Sequence, residues 1–294
     1  MPISPAALLA LVLLTPEPAI ETRLVQVAPA VPFWAAPKKT PRTARAVVLI
    51  HGLRPHPLSE TSVWEPELSA WEEPTSPLVK ALTADADVFS LAYGQNASVD
   101  DVSRVRSLGQ HITRLRTAGY SDVVLVGYSA GALIARYYVE NTGGGGVTKV
   151  IQVCPPNGGS GWSKLAGGVR KSQEMFVKSL SKDARLAAIR ARADLPVPAD
   201  VEFVCLVGSF GPSGDGLVRY NNQWTPDLQR QGIPAVLLPV PHLTAMYSKL
   251  VAQTLADLVR KPQPRWTPAQ VEAARARILR EKDQPALQGT PPIK

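Results

Sequence analysis

The sequence predicts an α/β fold, a mostly parallel sheet with helices on both faces. Six apolar runs carry that prediction, at Ala46 to Ile50, Val88 to Ala92, Val123 to Val126, Val150 to Val153, Glu202 to Val207 and Val236 to Val240. Runs that stay apolar at successive positions suit strands buried on both faces. Helix-like segments alternate with them, and strand–helix–strand alternation makes parallel neighbours. The sharpest observation lies at the third run. There Val123-Val124-Leu125-Val126 leads into Gly127-Tyr128-Ser129-Ala130-Gly131, and Ala132 to Val139 then reads as a helix.

A serine at the tip of a strand–turn–helix makes a specific physical demand. So sharp a turn strains the serine's backbone, and glycines on either side remove Cβ atoms that would strike the neighbouring strand and helix. The Ser129 hydroxyl is then exposed, and the Ala130 amide points into the space where a reacting oxygen would sit. This is the G-x-S-x-G nucleophile elbow, with the strand before it and the helix after it that the motif requires.

Composition narrows the function classes. A chain of 294 residues allows one or two domains with a full core, and an apolar fraction of 45% is globular, neither disordered nor membrane-spanning. The net charge of +8, from 32 basic and 24 acidic residues, is spread along the chain. It favours solubility and attraction to anionic surfaces such as lipid headgroups, and no nucleic-acid motif accompanies it. Cys154 and Cys205 lie at or inside strand-like runs and read as buried free thiols, with a disulfide open only if those strands are neighbours. His51, His56, His111 and His242 have no metal-ligand spacing and no H-E-x-x-H, so no metal or other cofactor is expected.

Taken in order, the chain begins with an apolar run from Ala6 to Leu14. It is too short to span a bilayer but has the length of a signal-peptide core, although no Lys or Arg precedes it. Export to the periplasm or beyond is the expectation, against a cytoplasmic protein whose N-terminal segment packs on the fold or reflects a misplaced start. A proline-rich, extended lead-in follows to residue 41, so that 1–41 stands apart from a domain over 42–260. Ala46 to Ile50 then runs into His51-Gly52-Leu53. The long polar loop from Arg54 to Ser76 holds Trp64 and Trp71, which either line a site or pack on the fold. Pro77 to Leu82 reads as a helix, as does Asp100 to Ala118, with Val102, Val105, Leu108, Ile112 and Leu115 on one face. His111 has a packing role there. Asn141 to Gly146 is a flexible turn.

Beyond Val153 the alternation is interrupted over 157–200, which holds Trp162, Leu165 and a helix from Ser172 to Ala193. This span is either a lid insertion or an ordinary crossover. Asp215 sits in Gly214-Asp215-Gly216-Leu217-Val218 after the fifth strand, and His242 follows the last strand directly. A helix from about Thr244 to Val259 closes the pattern, and 261–294 holds a short charged helix begun by Thr267-Pro268 and a proline-rich end.

In parallel sheets, sites form beyond the carboxyl ends of the strands. Leu53, Ser129, Asp215 and His242 each follow a different strand at that end. His51 reads as a brace for its loop, and His56 and His111 are badly placed for a base. Asp227 and Asp200 rival Asp215, but Asp200 precedes its strand. The order serine, acid, histidine, with a His-Gly segment after an earlier strand, resembles the α/β-hydrolases of the lipase/esterase type over about Ala46 to Val259. The Asp-Gly-Leu-Val loop and Pro-Pro-Asn-Gly-Gly-Ser resemble segments of bacterial lipases, the second departing from the usual Thr-Pro-His. The resemblance implies a catalytic triad of Ser129, His242 and Asp215, with the Leu53 and Ala130 amides as oxyanion donors. It implies cleavage of carboxylic esters; the apolar lid candidate and the basic charge lean toward lipid esters and peripheral contact at an anionic lipid surface, and small soluble esters fit almost as well. An acyltransferase or thioesterase fits the same triad, and a binding protein without turnover fits the same fold.

Overall fold

Residues 20–29, 43–54, 67–161 and 169–279 are described by the computed structural model. The expectations for Ala6 to Leu14, His56, Trp64, Trp162, Leu165 and the end of the chain fall outside them. The described strands are β1 (Thr22–Ala28), β2 (Arg45–Ile50), β3 (Asp87–Tyr93), β4 (Asp122–Tyr128), β5 (Lys149–Val153), β6 (Glu202–Gly208) and β7 (Ala235–Leu238). They form one sheet in the order β1-β3-β2-β4-β5-β6-β7. The six predicted strands are β2 to β7, all paired in parallel. The seventh corrects the predicted lead-in, because Thr22–Ala28 pairs antiparallel with β3 as an edge strand.

The helices are α1 (Pro77–Leu82), α2 (Val99–Arg104), α3 (Arg106–Thr117), α4 (Ala130–Thr142), α5 (Glu174–Ser179), α6 (Lys182–Ala191), α7 (Tyr220–Gln223), α8 (Pro226–Arg230), α9 (Lys249–Arg260) and α10 (Pro268–Ile278). Strand side chains alternate between two cores, as a period of two requires. Val48, Ile50 and Leu125 pack with Val99 of α2, Leu108 of α3 and Leu133 of α4. Val47, Leu49 and Val126 face the other way, onto Leu78 of α1 and Leu255 of α9. Helices thus cover both faces.

Three predicted helices are each divided, and the one expected from about Thr244 to Val259 is a 3-10 turn at His242–Tyr247 followed by α9. Asp100 to Ala118 breaks at Val105, whose ψ of 130° is extended, although the apolar spacing continues across the break. Ser172 to Ala193 becomes a 3-10 turn at Lys171–Gln173 followed by α5 and α6. Ser181 separates those two helices by capping α6, accepting the Ala184 amide. Phe176 and Leu180 are buried in the first core, and Arg185 of α6 pairs with Asp100 of α2. The described helices of 157–200 therefore connect β5 to β6 as a crossover packed on the body of the fold.

The topology positions the site. From β2 the chain lays β3 on one side and then β4 on the other, so the order reverses at β2. A crevice opens at such a switch point, outside the strands' carboxyl ends. Glycine is forced on both sides of the turn that follows β4. A Cβ on Gly131 would lie 2.2 Å from the Ile50 carbonyl oxygen, and one on Gly127 would lie 2.6 Å from Ala132 Cα. The first is the clash with a strand, the second the clash with a helix.

Candidate active site

Ser129 joins β4 to α4 with φ 52° and ψ −121°, a region that a residue with a Cβ seldom occupies. Its amide donates to the Val153 carbonyl at 2.9 Å, tying the turn to β5. The loop after β2 lies against it. A Cβ on Gly52 would stand 3.3 Å from Ser129 Oγ, so the Leu53 amide begins beside the hydroxyl. Ala130 opens α4, and its amide is one of those a helix start leaves without an intrahelical acceptor.

The segments after β6 and β7 meet the serine from the other side. His242 Nε2 is 3.0 Å from Ser129 Oγ, and His242 Nδ1 is 2.7 Å from Asp215 Oδ2. All three side chains are buried. The other Asp215 oxygen accepts the Leu217 and Val218 amides at 3.0 and 2.7 Å, which fixes the carboxylate in its turn. The His242 amide donates to the Asp215 carbonyl at 2.8 Å, and the Tyr128 hydroxyl donates to the His242 carbonyl at 2.7 Å. The imidazole is thus held from its backbone as well as from its ring. With Nδ1 donating to the carboxylate, Nε2 is left to accept the serine proton, an assignment of tautomer that follows from the partners.

The other candidates fall elsewhere. His51 is buried, stacks on Tyr93 at 4.4 Å and places Nδ1 2.9 Å from the Gly52 carbonyl, so it braces its loop. His111 is 3.1 Å from the Thr22 hydroxyl, where partial burial lowers its pKa. Asp227 pairs with Arg136 at 2.5 Å, and Asp200 lies just before β6. Cys154 and Cys205 are buried and unbonded to each other. Cys154 abuts Asp215, and burial pushes its thiol well above its ordinary range, with the Asp215 charge adding to the effect. Cys154, Asp215 and His242 offer sulfur, oxygen and nitrogen atoms within 4.8 Å of one another. The 2.7 Å bond between Asp215 and His242 makes two of them a hydrogen-bonded pair.

Beside the serine lies a cavity of about 350 Å³ lined by Leu53, Trp71, Tyr128, Leu243, Met246 and Tyr247. Trp71 both packs and lines it, since it is buried and meets Tyr128 edge-on at 6.0 Å. A larger groove of about 1070 Å³, among Arg104, Arg106 and Arg114, holds none of the residues around Ser129.

Behind the cavity wall, Glu72 is fully buried. Burial raises its carboxyl from 4.5 to about 7, against the opposing hydrogen bonds from Ser90 and Ser69 and the charge of Arg54. Between those values the native protein holds a proton that the unfolded chain has lost, so this group's stabilisation is complete below about 4.5 and lost as pH rises through about 7. Glu72→Gln is therefore expected to gain on wild type by roughly 3 kcal/mol as pH rises across that window. Thermal unfolding of both proteins at pH 4.5 and pH 8.5 checks it; a gap between them that does not change with pH refutes it.

Sequence reasoning misses the side chains that hold the loop after β2. Gln95 accepts the Arg54 amide at 3.0 Å and donates to the Gly52 carbonyl at 2.9 Å. Its one signal is position, two residues past the carboxyl end of β3. Gln173, in the segment between β5 and β6, donates to the Arg54 carbonyl at 2.6 Å and gives no signal of that contact.

Fold and side chains together define an α/β protein with a serine–histidine–aspartate chain at the carboxyl ends of parallel strands. The chain belongs to the alpha/beta hydrolase family, whose sequence model matches residues 47–289. No curated protein matches it. Among solved structures, a Bacillus licheniformis lipase in its mature form is similar at a TM-score of 0.56 and 15% identity, over 81% of this chain and 98% of that one. A phospholipase from Legionella pneumophila, PlaB, is similar at 0.55 and 14%, over 82% of this chain and 64% of that one. A metagenomic carboxyl esterase is similar at 0.51 and 17%, over 88% of this chain and 83% of that one. At these identities the likeness is one of fold.

Proposed function

We propose that this protein is a serine hydrolase of carboxylic esters that works through an acyl-enzyme on Ser129. The observation that carries the reading is the continuous hydrogen-bonded path from Ser129 Oγ through His242 to Asp215, at 3.0 and 2.7 Å. His242 Nε2 takes the serine proton as Oγ attacks the ester carbonyl, and Asp215 holds the ring and stabilises the imidazolium. The amides of Leu53 and Ala130 receive the oxyanion of the tetrahedral intermediate. His242 then returns the proton to the leaving alcohol, draws one from water, and the second attack frees the acid.

The surroundings favour esters with an apolar acyl or lipid group. Leu243 and Tyr247 line the cavity and are 61% and 54% exposed, and Phe210, in the loop leading to Asp215, is 63% exposed. Large apolar side chains left in water beside a site mark a surface that an apolar partner covers. The net charge of +8 draws such a surface toward anionic lipid. Hydrolysis of p-nitrophenyl esters from acetyl to palmitoyl, together with fluorophosphonate labelling, tests the reading. Turnover with labelling at Ser129 is expected, and a protein that neither turns over any of these esters nor labels refutes it. Turnover of acyl thioesters in preference to every oxygen ester would move the protein to the thioesterases.

A further inference from the structure

An oxyanion donor is useful only if it points at the right place, and the Leu53 amide stands in a loop, where nothing in regular secondary structure fixes its direction. Its direction is coupled to that of one carbonyl. The Leu53 N–H and the Gly52 C=O belong to the same peptide unit, and in a planar trans peptide they point opposite ways. The Gly52 carbonyl accepts Gln95 Nε2 at 2.9 Å, with His51 Nδ1 also 2.9 Å away. Gln95 follows β3, whereas Ser129 follows β4, and β2 lies between those two strands. A carbonyl drawn to the β3 side therefore turns the Leu53 amide toward the β4 side, where the serine is.

The same glutamine holds the next peptide as well, since its Oε1 accepts the Arg54 amide at 3.0 Å. One buried side chain thus spans the loop from Gly52 to Arg54. It is locked in turn by Gln173, whose Nε2 donates to Gln95 Oε1 at 2.7 Å and to the Arg54 carbonyl at 2.6 Å. Both glutamines are at most 1% exposed. Buried amides of this kind are costly unless hydrogen-bonded, so the network has one low-energy arrangement. Gln173 belongs to the connection between β5 and β6, far along the chain from the loop it holds.

We propose that Gln95, locked by Gln173, is the positioning residue that aims the Leu53 amide at the oxyanion, so that the donor is formed only while the segment carrying Gln173 is seated on the loop. The inference rests on the ester-hydrolase reading of Ser129. Methionine at either position keeps the length and apolar bulk of the side chain and removes its hydrogen bonds. Gln95→Met is expected to lower kcat on p-nitrophenyl butyrate by about 10²-fold, as loss of an oxyanion donor does, with KM nearly unchanged. Affinity for a trifluoromethyl ketone, which forms its own oxyanion on Ser129, should fall in parallel. Gln173→Met should lower kcat by roughly 10-fold, and the double variant should be no worse than Gln95→Met, because both act through one peptide unit.

A merely structural role would lower Tm and leave kcat and ketone affinity, measured well below Tm, where they were. That result in Gln95→Met overturns the inference. Should Gln95→Met fail to fold, Gln173→Met decides, and an unchanged kcat there overturns it. A wild-type protein that neither hydrolyses esters nor labels with a fluorophosphonate overturns the functional reading, and this inference with it. Wild-type turnover retained in both variants overturns this inference alone.

Discussion

Ser129→Ala is expected to lower kcat on p-nitrophenyl esters by roughly 10⁴- to 10⁶-fold while leaving the fold intact. The size of the loss follows from what disappears. Without Oγ there is no acyl-enzyme, and His242 has no proton to take, so binding and the two oxyanion donors are all that remain to favour hydrolysis by water. A variant that keeps activity within tenfold of wild type would remove Ser129 from the mechanism. The same position makes a second expectation about stability. With φ at 52°, Ser129 occupies backbone space that costs a side-chain-bearing residue on the order of 1–3 kcal/mol. Ser129→Gly relieves that strain, which offsets the entropy penalty of roughly 1 kcal/mol that glycine brings. It should therefore unfold at a temperature no lower than wild type and be inactive, whereas a marked drop in Tm would mean that the turn is not strained.

That serine was legible because its demands are local. The strand Asp122–Tyr128, the turn and α4 are adjacent in sequence, and Gly127 and Gly131 stand where a Cβ would meet Ala132 and Ile50. His242, and Asp215 with Asp227 left as its rival, were legible for a different reason. A parallel sheet sends every strand's carboxyl end to the same side, so residues just past three separate strands were bound to converge. The structure brings those three together at hydrogen-bonding distance. The strands of the sheet centre announce themselves by unbroken apolar runs. β1 does not, because an edge strand with Arg23 and Gln26 among its apolar residues gives a weaker pattern than Val47-Val48-Leu49. The helix breaks at Val105 and Ser181 were hidden because apolar periodicity persists through them. Gln95 and Gln173 were hidden more deeply. Glutamines that serve by hydrogen-bonding backbone 41 to 119 residues away leave no spacing to read.

Asp215→Asn is expected to cost about 10⁴-fold in kcat with little change in the fold. The argument lies in how the carboxylate is held. One of its oxygens accepts the Leu217 and Val218 amides, and the other faces His242 Nδ1. An asparagine in that site has one oxygen and one NH₂ group, and only the oxygen can accept two backbone N–H bonds. The NH₂ group must then face His242 Nδ1, which has to give up its proton and become an acceptor. Nε2 therefore carries the ring proton and points it at Ser129, and an Nε2–H cannot take the serine proton. The imidazole stays in place in the wrong tautomer. Asp227→Asn is the contrasting variant, since Asp227 pairs with buried Arg136 and touches none of the reacting groups. It should lower Tm by weakening that ion pair and leave kcat within a fewfold of wild type when measured well below Tm. If instead Asp215→Asn keeps its rate and Asp227→Asn loses it, the acid of this site is Asp227, and the 2.7 Å contact between Asp215 and His242 is an ordinary buried hydrogen bond.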